Sequence, residues 1–215
     1  MPDIQLSTLT DAIALIRNEP VQARSTARLA ALLDAAATVV HEIGYERLTT
    51  AMVADRAGAS IGTVYRYFPD RIAVLQSLAA RNAERTIGRA LAEVSNPANT
   101  DWFLALGSVF EQIKFAFRDE PGFASLRYGD VLDLRPATGH SATQGFADSV
   151  FDALVARFEL DGSASARSAF VAVVVATDAL TARAFSRDPQ GDEEFLLAGV
   201  ATASALMSPY WGAPA

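Results

Sequence analysis

Apolar residues recur at helical spacing along most of the chain, and the alternation expected of strands is absent. From Ser25 to Ile43 the positions Leu29, Leu32, Leu33, Ala36, Val39, Val40 and Ile43 lie three or four apart, and Gly44 follows as a stop. Pro69 and Asp70 open a longer predicted helix, with proline in the first turn where no N–H donor is needed, running through Ile72, Leu75, Leu78 and Ile87 to about Val94. Ser95-Asn96-Pro97-Ala98-Asn99-Thr100 breaks the pattern. Beyond it, Trp102, Leu106, Val109, Phe110, Ile113 and Phe117 mark one helix, and Pro121-Gly122 ends it. A shorter, irregular segment, Phe123 to Leu134, ends near Pro136 and Gly139, and Phe146, Val150, Leu154 and Phe158 mark the next helix. The last two, about 164–186 and 192–208, are rich in alanine and valine, and A-F-V-A-V-V-V-A predicts burial on more than one side. Residues 6–18 read equally as a short amphipathic helix or a loose extension before Pro20. The predicted fold class is all-α.

Between the first helix and the helix at 70–94 lies T-T-A-M-V-A-D-R-A-G-A-S-I-G-T-V-Y-R-Y-F-P-D-R, residues 49–71. Thr49 or Thr50 supplies a capping hydroxyl, Gly58 a residue free to take positive φ, and Ser60 a second cap. Val53 and Ala57, then Ala59, then Val64 and Phe68 form one inner face through two short helices, with Ala54 where they cross. Together these predict a helix-turn-helix, completed to three helices by the one at 25–43.

G-Y-E-R-L-T-T followed by A-G-A-S-I-G-T-V-Y-R-Y-F-P-D-R resembles the DNA-binding segment of the tetracycline-repressor (TetR) family of bacterial transcription regulators. The likeness extends back through residues 25–44 and covers about the first third of the chain closely. E-P-G-F-A-S-L-R-Y-G-D at 120–130 is similar to one subgroup. The resemblance implies an N-terminal three-helix DNA-binding domain and a C-terminal helical ligand-binding and dimerisation domain. It implies a homodimer through the last two helices, a palindromic double-stranded DNA operator, and a small apolar effector that releases a repressor. The corresponding division is an extension at 1–24, the DNA-binding domain at 25–71, a connecting helix at 72–95 and the effector and dimerisation domain at 96–215.

A recognition helix brings its N-terminal residues to the base edges. That assigns Ser60, Ile61, Gly62, Thr63 and Arg66 to the DNA surface, with Val64 and Phe68 turned inward. Arg66 is suited to bidentate pairing with guanine, and Thr63 offers a hydroxyl and a methyl. Thr49 and Thr50 present hydroxyl and amide groups to phosphates. The resemblance places Tyr65 and Tyr67 against phosphates too, although Tyr67 stands at the edge of the inner face and also reads as core. Arg71 matches a position where the family usually has a phosphate-contacting lysine. Arg24 and Arg28 are further candidates from the N-terminal arm.

The formal net charge of −7 initially argues against a nucleic-acid partner, but its distribution reverses that reading. Residues 17–95 carry ten Arg against eight Asp and Glu, whereas residues 96–215 carry eight basic residues against fifteen acidic ones. A slightly basic head on an acidic body presents one end to phosphates. The absence of cysteine removes disulfide frameworks and thiolate sites, and the opening M-P-D-I-Q-L-S has no secretory pattern, so a cytoplasmic protein is expected. The uncharged run 195–215 is broken by Gly199, Ser208 and Pro209, and predicts a buried helix and no membrane partner.

Catalysis is not indicated. His41 lies off its helix's apolar face, His140 sits in a Gly-Ser segment, and there is no phosphate-binding glycine loop or nucleophile elbow. No cofactor or metal is expected. Trp102, Phe103, Phe110, Phe123, Tyr128 and Phe146, with Arg127, Thr177 and Asp178, are the candidate effector-pocket residues; Asp130, His140 and Gln144 are further polar candidates. The alternative is a DNA-bound adaptor or structural protein that recruits a protein partner and binds no small molecule.

Overall fold

The computed structural model describes residues 23–128 and 141–213. The 6–18 segment, the Arg24 side chain, Asp130 and His140 lie outside the described residues. The helices are α1 (Ala23–Ile43), α2 (Thr50–Arg56), α3 (Ile61–Tyr67), α4 (Arg71–Ser95), α5 (Trp102–Asp119), α6 (Phe123–Leu126), α7 (Ala142–Phe158), α8 (Ala164–Arg187) and α9 (Glu193–Trp211), with a 3-10 turn at Tyr45–Arg47. The fold is all-helical, and no strand occurs among the described residues.

Two compact units are formed: Met1–Glu84 with Pro121–Ala142, and Arg85–Glu120 with Thr143–Ala215. The division falls inside α4. In the first unit Leu32, Val40, Val53, Val64, Phe68, Val74, Leu78 and Leu126 are completely buried in one cluster. Each contributes roughly 1.5–3 kcal/mol by leaving water. Gly44, at φ 83°, ends α1 as the sequence predicts. The start of α4 differs from expectation. Asp70 is its cap, accepting from the Ala73 N–H at 2.8 Å, and Pro69 stands outside the helix rather than in its first turn. The carboxylate cap satisfies an otherwise unpaired amide, which fixes the start at Arg71.

Part of the chain expected to be irregular is specifically packed here. Gly122, at φ 74°, lies against α1, and the four-residue α6 follows it with Phe123 and Leu126 buried. Arg127 then takes the strained positive φ of 45°, and its carbonyl accepts from the Asn82 side chain at 3.2 Å.

In the second unit, the Trp211 ring lies within 5.6 Å of the ring centroids of Trp102, Phe151 and Phe170. Its indole N–H donates to the Asp161 carbonyl at 3.0 Å, so the polar edge of a buried ring is satisfied. The break after α4 is an ordered cap. The Arg157 guanidinium donates to the carbonyls of Val94, Asn96 (2.8 Å) and Asn99 (2.7 Å), and Asn99 is itself buried. Helices α8 and α9 pack on each other along their length. Phe170, Val173 and Val174 of α8 are buried, whereas Ala172 and Val175 are exposed, so within the protomer the alanine-valine run is covered on one side only. By length and composition alone, α8 is also apolar enough to cross a membrane.

Candidate nucleic-acid interface

Local chemistry fixes the turn between α2 and α3. Thr49 is extended, and its hydroxyl accepts from the Met52 N–H at 3.2 Å, capping α2. Gly58 takes φ 59°, the left-handed geometry that closes the helix at little steric cost. The Ala59 N–H then returns to the Ala54 carbonyl at 2.9 Å. Ser60 caps α3 by accepting from the Thr63 N–H at 3.1 Å. Val53, Ala54, Val64 and Phe68 are buried, and Ala57 and Ala59 pack against them half-buried, so the expected inner face is present.

The opposite side is open. Ser60, Ile61, Gly62, Tyr65, Arg66 and Thr49 are exposed, and Thr50 and Thr63 are half-buried. The Thr50 hydroxyl donates to the Tyr65 phenol oxygen at 3.3 Å, tying the start of α2 to the second turn of α3. Arg66 lies over the Tyr67 ring, 5.3 Å from its centroid. Tyr67 is turned inward: it is 3% exposed, and its hydroxyl meets the Ser25 hydroxyl at 3.1 Å. The Tyr67 side chain thus packs with the core, as one of the two readings of the sequence expects. Its hydroxyl, in a part-buried bond to Ser25, is held at the edge of the head.

Arg71 is half-buried and donates to the Glu46 carbonyl at 2.7 Å and the Tyr45 carbonyl at 3.4 Å, so it also holds the 3-10 turn to the start of α4. Arg28 is exposed on α1. Arg56 is joined to Glu42 by a two-pronged pair at 2.9 and 2.5 Å that braces α2 against α1. The hydrogen bonds from Arg56 hold the Glu42 carboxyl below its ordinary range, and the same pair raises Arg56. Met52, 41% exposed on α2, was absent from the sequence-based set; its only signal there is its offset from the Val53–Ala57 face.

The sequence profile described as bacterial regulatory proteins, tetR family, matches residues 32–78, which contain α2, the turn at Gly58 and α3. A second, tetracyclin repressor-like C-terminal domain, matches residues 100–202. The chain belongs to the TetR family. Its relatives include the HTH-type transcriptional repressor KstR of Rhodococcus jostii, 33% identical over 90 residues, or 42% of this chain and 41% of that one. The nucleoid occlusion factor SlmA of Haemophilus influenzae is 27% identical over 107 residues, covering 50% of this chain and 48% of that one. This TetR-family chain thus spans between two fifths and half the length of these curated relatives. A TetR-family transcriptional regulator from Streptomyces coelicolor superposes with a TM-score of 0.73 at 28% identity, covering 86% of this chain and 97% of that structure.

The expected effector-pocket residues of this TetR-family chain are distributed over both units. Phe123, Arg127 and Tyr128 belong to the first, where Phe123 and Tyr128 are buried edge to face at 5.9 Å. Trp102, Phe103, Phe110, Phe146, Thr177 and Asp178 belong to the second. There Trp102 and Phe146 are buried, and Phe103, Phe110, Thr177 and Asp178 are half-buried. Phe110 and Thr177 converge on Gly199, where an added Cβ would meet them at 3.5 and 3.7 Å. Gln144 of α7 donates to Asp148 at 3.1 Å. An open groove beside the start of α8 and the end of α9 is lined by Ala164, Ser165, Ser168, Ala169 and Tyr210, a set that shares no member with the expected pocket.

Proposed function

We propose that the chain is a homodimeric repressor that binds a palindromic duplex through α3 and is released by a small apolar effector. The observation that carries the reading is the two-sidedness of α3: Val64 and Tyr67 anchor it in the core while Ile61, Gly62, Tyr65 and Arg66 face solvent. Arg66 pairs with a base, Tyr65, Thr49 and Thr50 engage phosphates, and Ser60 and Thr63 support the helix start. Arg71 contributes its charge near phosphate while holding the 3-10 turn. Residues 25–71 form the DNA-binding head, 72–95 the connecting helix and 96–215 the effector and dimerisation body.

The repressor reading is supported by the likeness to KstR, a transcriptional repressor. Dimerisation is supported by α9, whose exposed Leu197, Ala198, Ala201, Ala205 and Leu206 form an uncharged stripe. Two copies packing α8 and α9 together would cover it, along with Val175. The effector sits in the second unit near Phe103, Phe110, Phe146, Thr177 and Asp178, and such coupling is typically about 1–3 kcal/mol, roughly 5- to 150-fold in DNA affinity.

The test is selection of a preferred duplex from a random library, followed by titration of the complex with a panel of apolar small molecules. Release by a member of the panel supports the sensor. Steady binding throughout, together with capture of a protein partner, supports the adaptor reading, which the likeness to a nucleoid occlusion factor favours.

A further inference from the structure

We infer that Ile61 reads the 5-methyl group of thymine, so that each half-site requires a thymine opposite the start of α3. The inference rests on the DNA-binding reading above and adds the base chemistry that the helix selects. Ile61 is the first residue of α3 and is 43% exposed, a large apolar side chain kept in water where a recognition helix meets base edges. The hydroxyls nearest it in sequence bond within the head. The Ser60 and Thr63 hydroxyls lie 2.9 Å apart, and Ser60 also accepts from the Thr63 N–H. One turn on, the Tyr65 phenol is bonded to Thr50. Gly62 adds no side chain, and a Cβ there would meet nothing nearer than the Ser60 hydroxyl at 3.9 Å, so the helix start has room to close on the groove.

The first turn of α3 therefore carries no amide, carboxylate or guanidinium with which to read a base edge by hydrogen bonding. In the major groove the apolar feature that distinguishes one base pair from another is the thymine methyl. The other edges present donors and acceptors that an isoleucine would desolvate without pairing. Ile61 gains against thymine and loses against the rest.

The experiment uses the whole chain and the duplex it selects from a random library. Each thymine is replaced singly by deoxyuridine, which deletes the methyl and keeps the base pair. At one thymine per half-site the wild-type protein should lose about fourfold in affinity, the equivalent of about 0.8 kcal/mol for one buried methyl group. Ile61→Ala, checked for an unchanged thermal melt, should bind the thymine and uracil duplexes equally, and Ile61→Val should retain part of the difference. Equal binding of every uracil duplex by the wild type, or an equal loss in Ile61→Ala, overturns the inference. Failure to select any preferred duplex instead overturns the DNA-binding reading beneath it.

Discussion

Gly122 lies so close to Ala37 that a Cβ added to it would come within 2.7 Å of the Ala37 carbonyl oxygen and within 3.1 Å of the Val40 side chain. This contact brings a segment far along the chain onto the helix that supports the helix-turn-helix. Because the glycine also has φ 74°, Gly122→Ala combines backbone strain with a clash against main chain. A loss of at least about 2 kcal/mol is expected. Denaturant unfolding measures it; an unchanged midpoint would show that the segment and α1 separate without cost.

Tyr65 and Tyr67 stand two residues apart on α3 and should respond oppositely to loss of a hydroxyl. Tyr67→Phe removes the Ser25 partner inside the head and is expected to cost roughly 0.5–1.5 kcal/mol of stability with DNA affinity unchanged. Tyr65→Phe should leave the melt unaltered and weaken all duplexes alike. Paired melting and gel-shift measurements check both, and a DNA-binding defect in Tyr67→Phe would mean that its hydroxyl leaves the core.

Arg157 holds three carbonyls at the end of α4 and in the loop that follows. Arg157→Met keeps much of the apolar stem but strands those oxygens, for an expected loss of about 2–3 kcal/mol. Arg157→Lys should recover only part, since an ammonium lacks the planar fork that spans several acceptors. Thermal melts of the two variants decide this, and equal stability of both with the wild type would remove the cap.

Glu42 gives a pH dependence whose sign follows from its lowered pKa, caused first by the Arg56 hydrogen bonds. The contribution is present above the unfolded glutamate value and disappears as pH falls through the lower folded value. Stability measured across the acidic range should therefore fall more steeply for the wild type than for Glu42→Gln. Both groups are exposed, so the difference is small and should shrink in high salt. Superimposable profiles would mean the pair contributes nothing.

The features legible in the sequence were those whose cause is local. Gly44, Gly58, Thr49 and Ser60 each answer a demand made within four residues, either a positive φ or an unpaired amide at a helix start. Helical periodicity puts Tyr67 on the boundary of the inner face and does not choose its side. Only the position of Ser25, forty-two residues earlier, settles which way it turns. Asp70 and Pro69 both suit a helix start by residue type, and only the Ala73 bond distinguishes the cap. Arg157 acting on Val94, and Gly122 on Ala37, join segments remote in sequence, so periodicity carries no trace of them.

The most direct measurement of the central claim, that the exposed face of α3 lies along a duplex, is the salt dependence of affinity for the selected DNA. A dimer neutralising about 6–10 phosphates should lose roughly 10³- to 10⁵-fold between about 50 and 200 mM salt, with log affinity linear in log salt. Arg71→Ala should flatten that line for every sequence, while Arg66→Ala should relax preference at one base pair by about 1–3 kcal/mol. Affinity that stays level across the salt range would contradict the account.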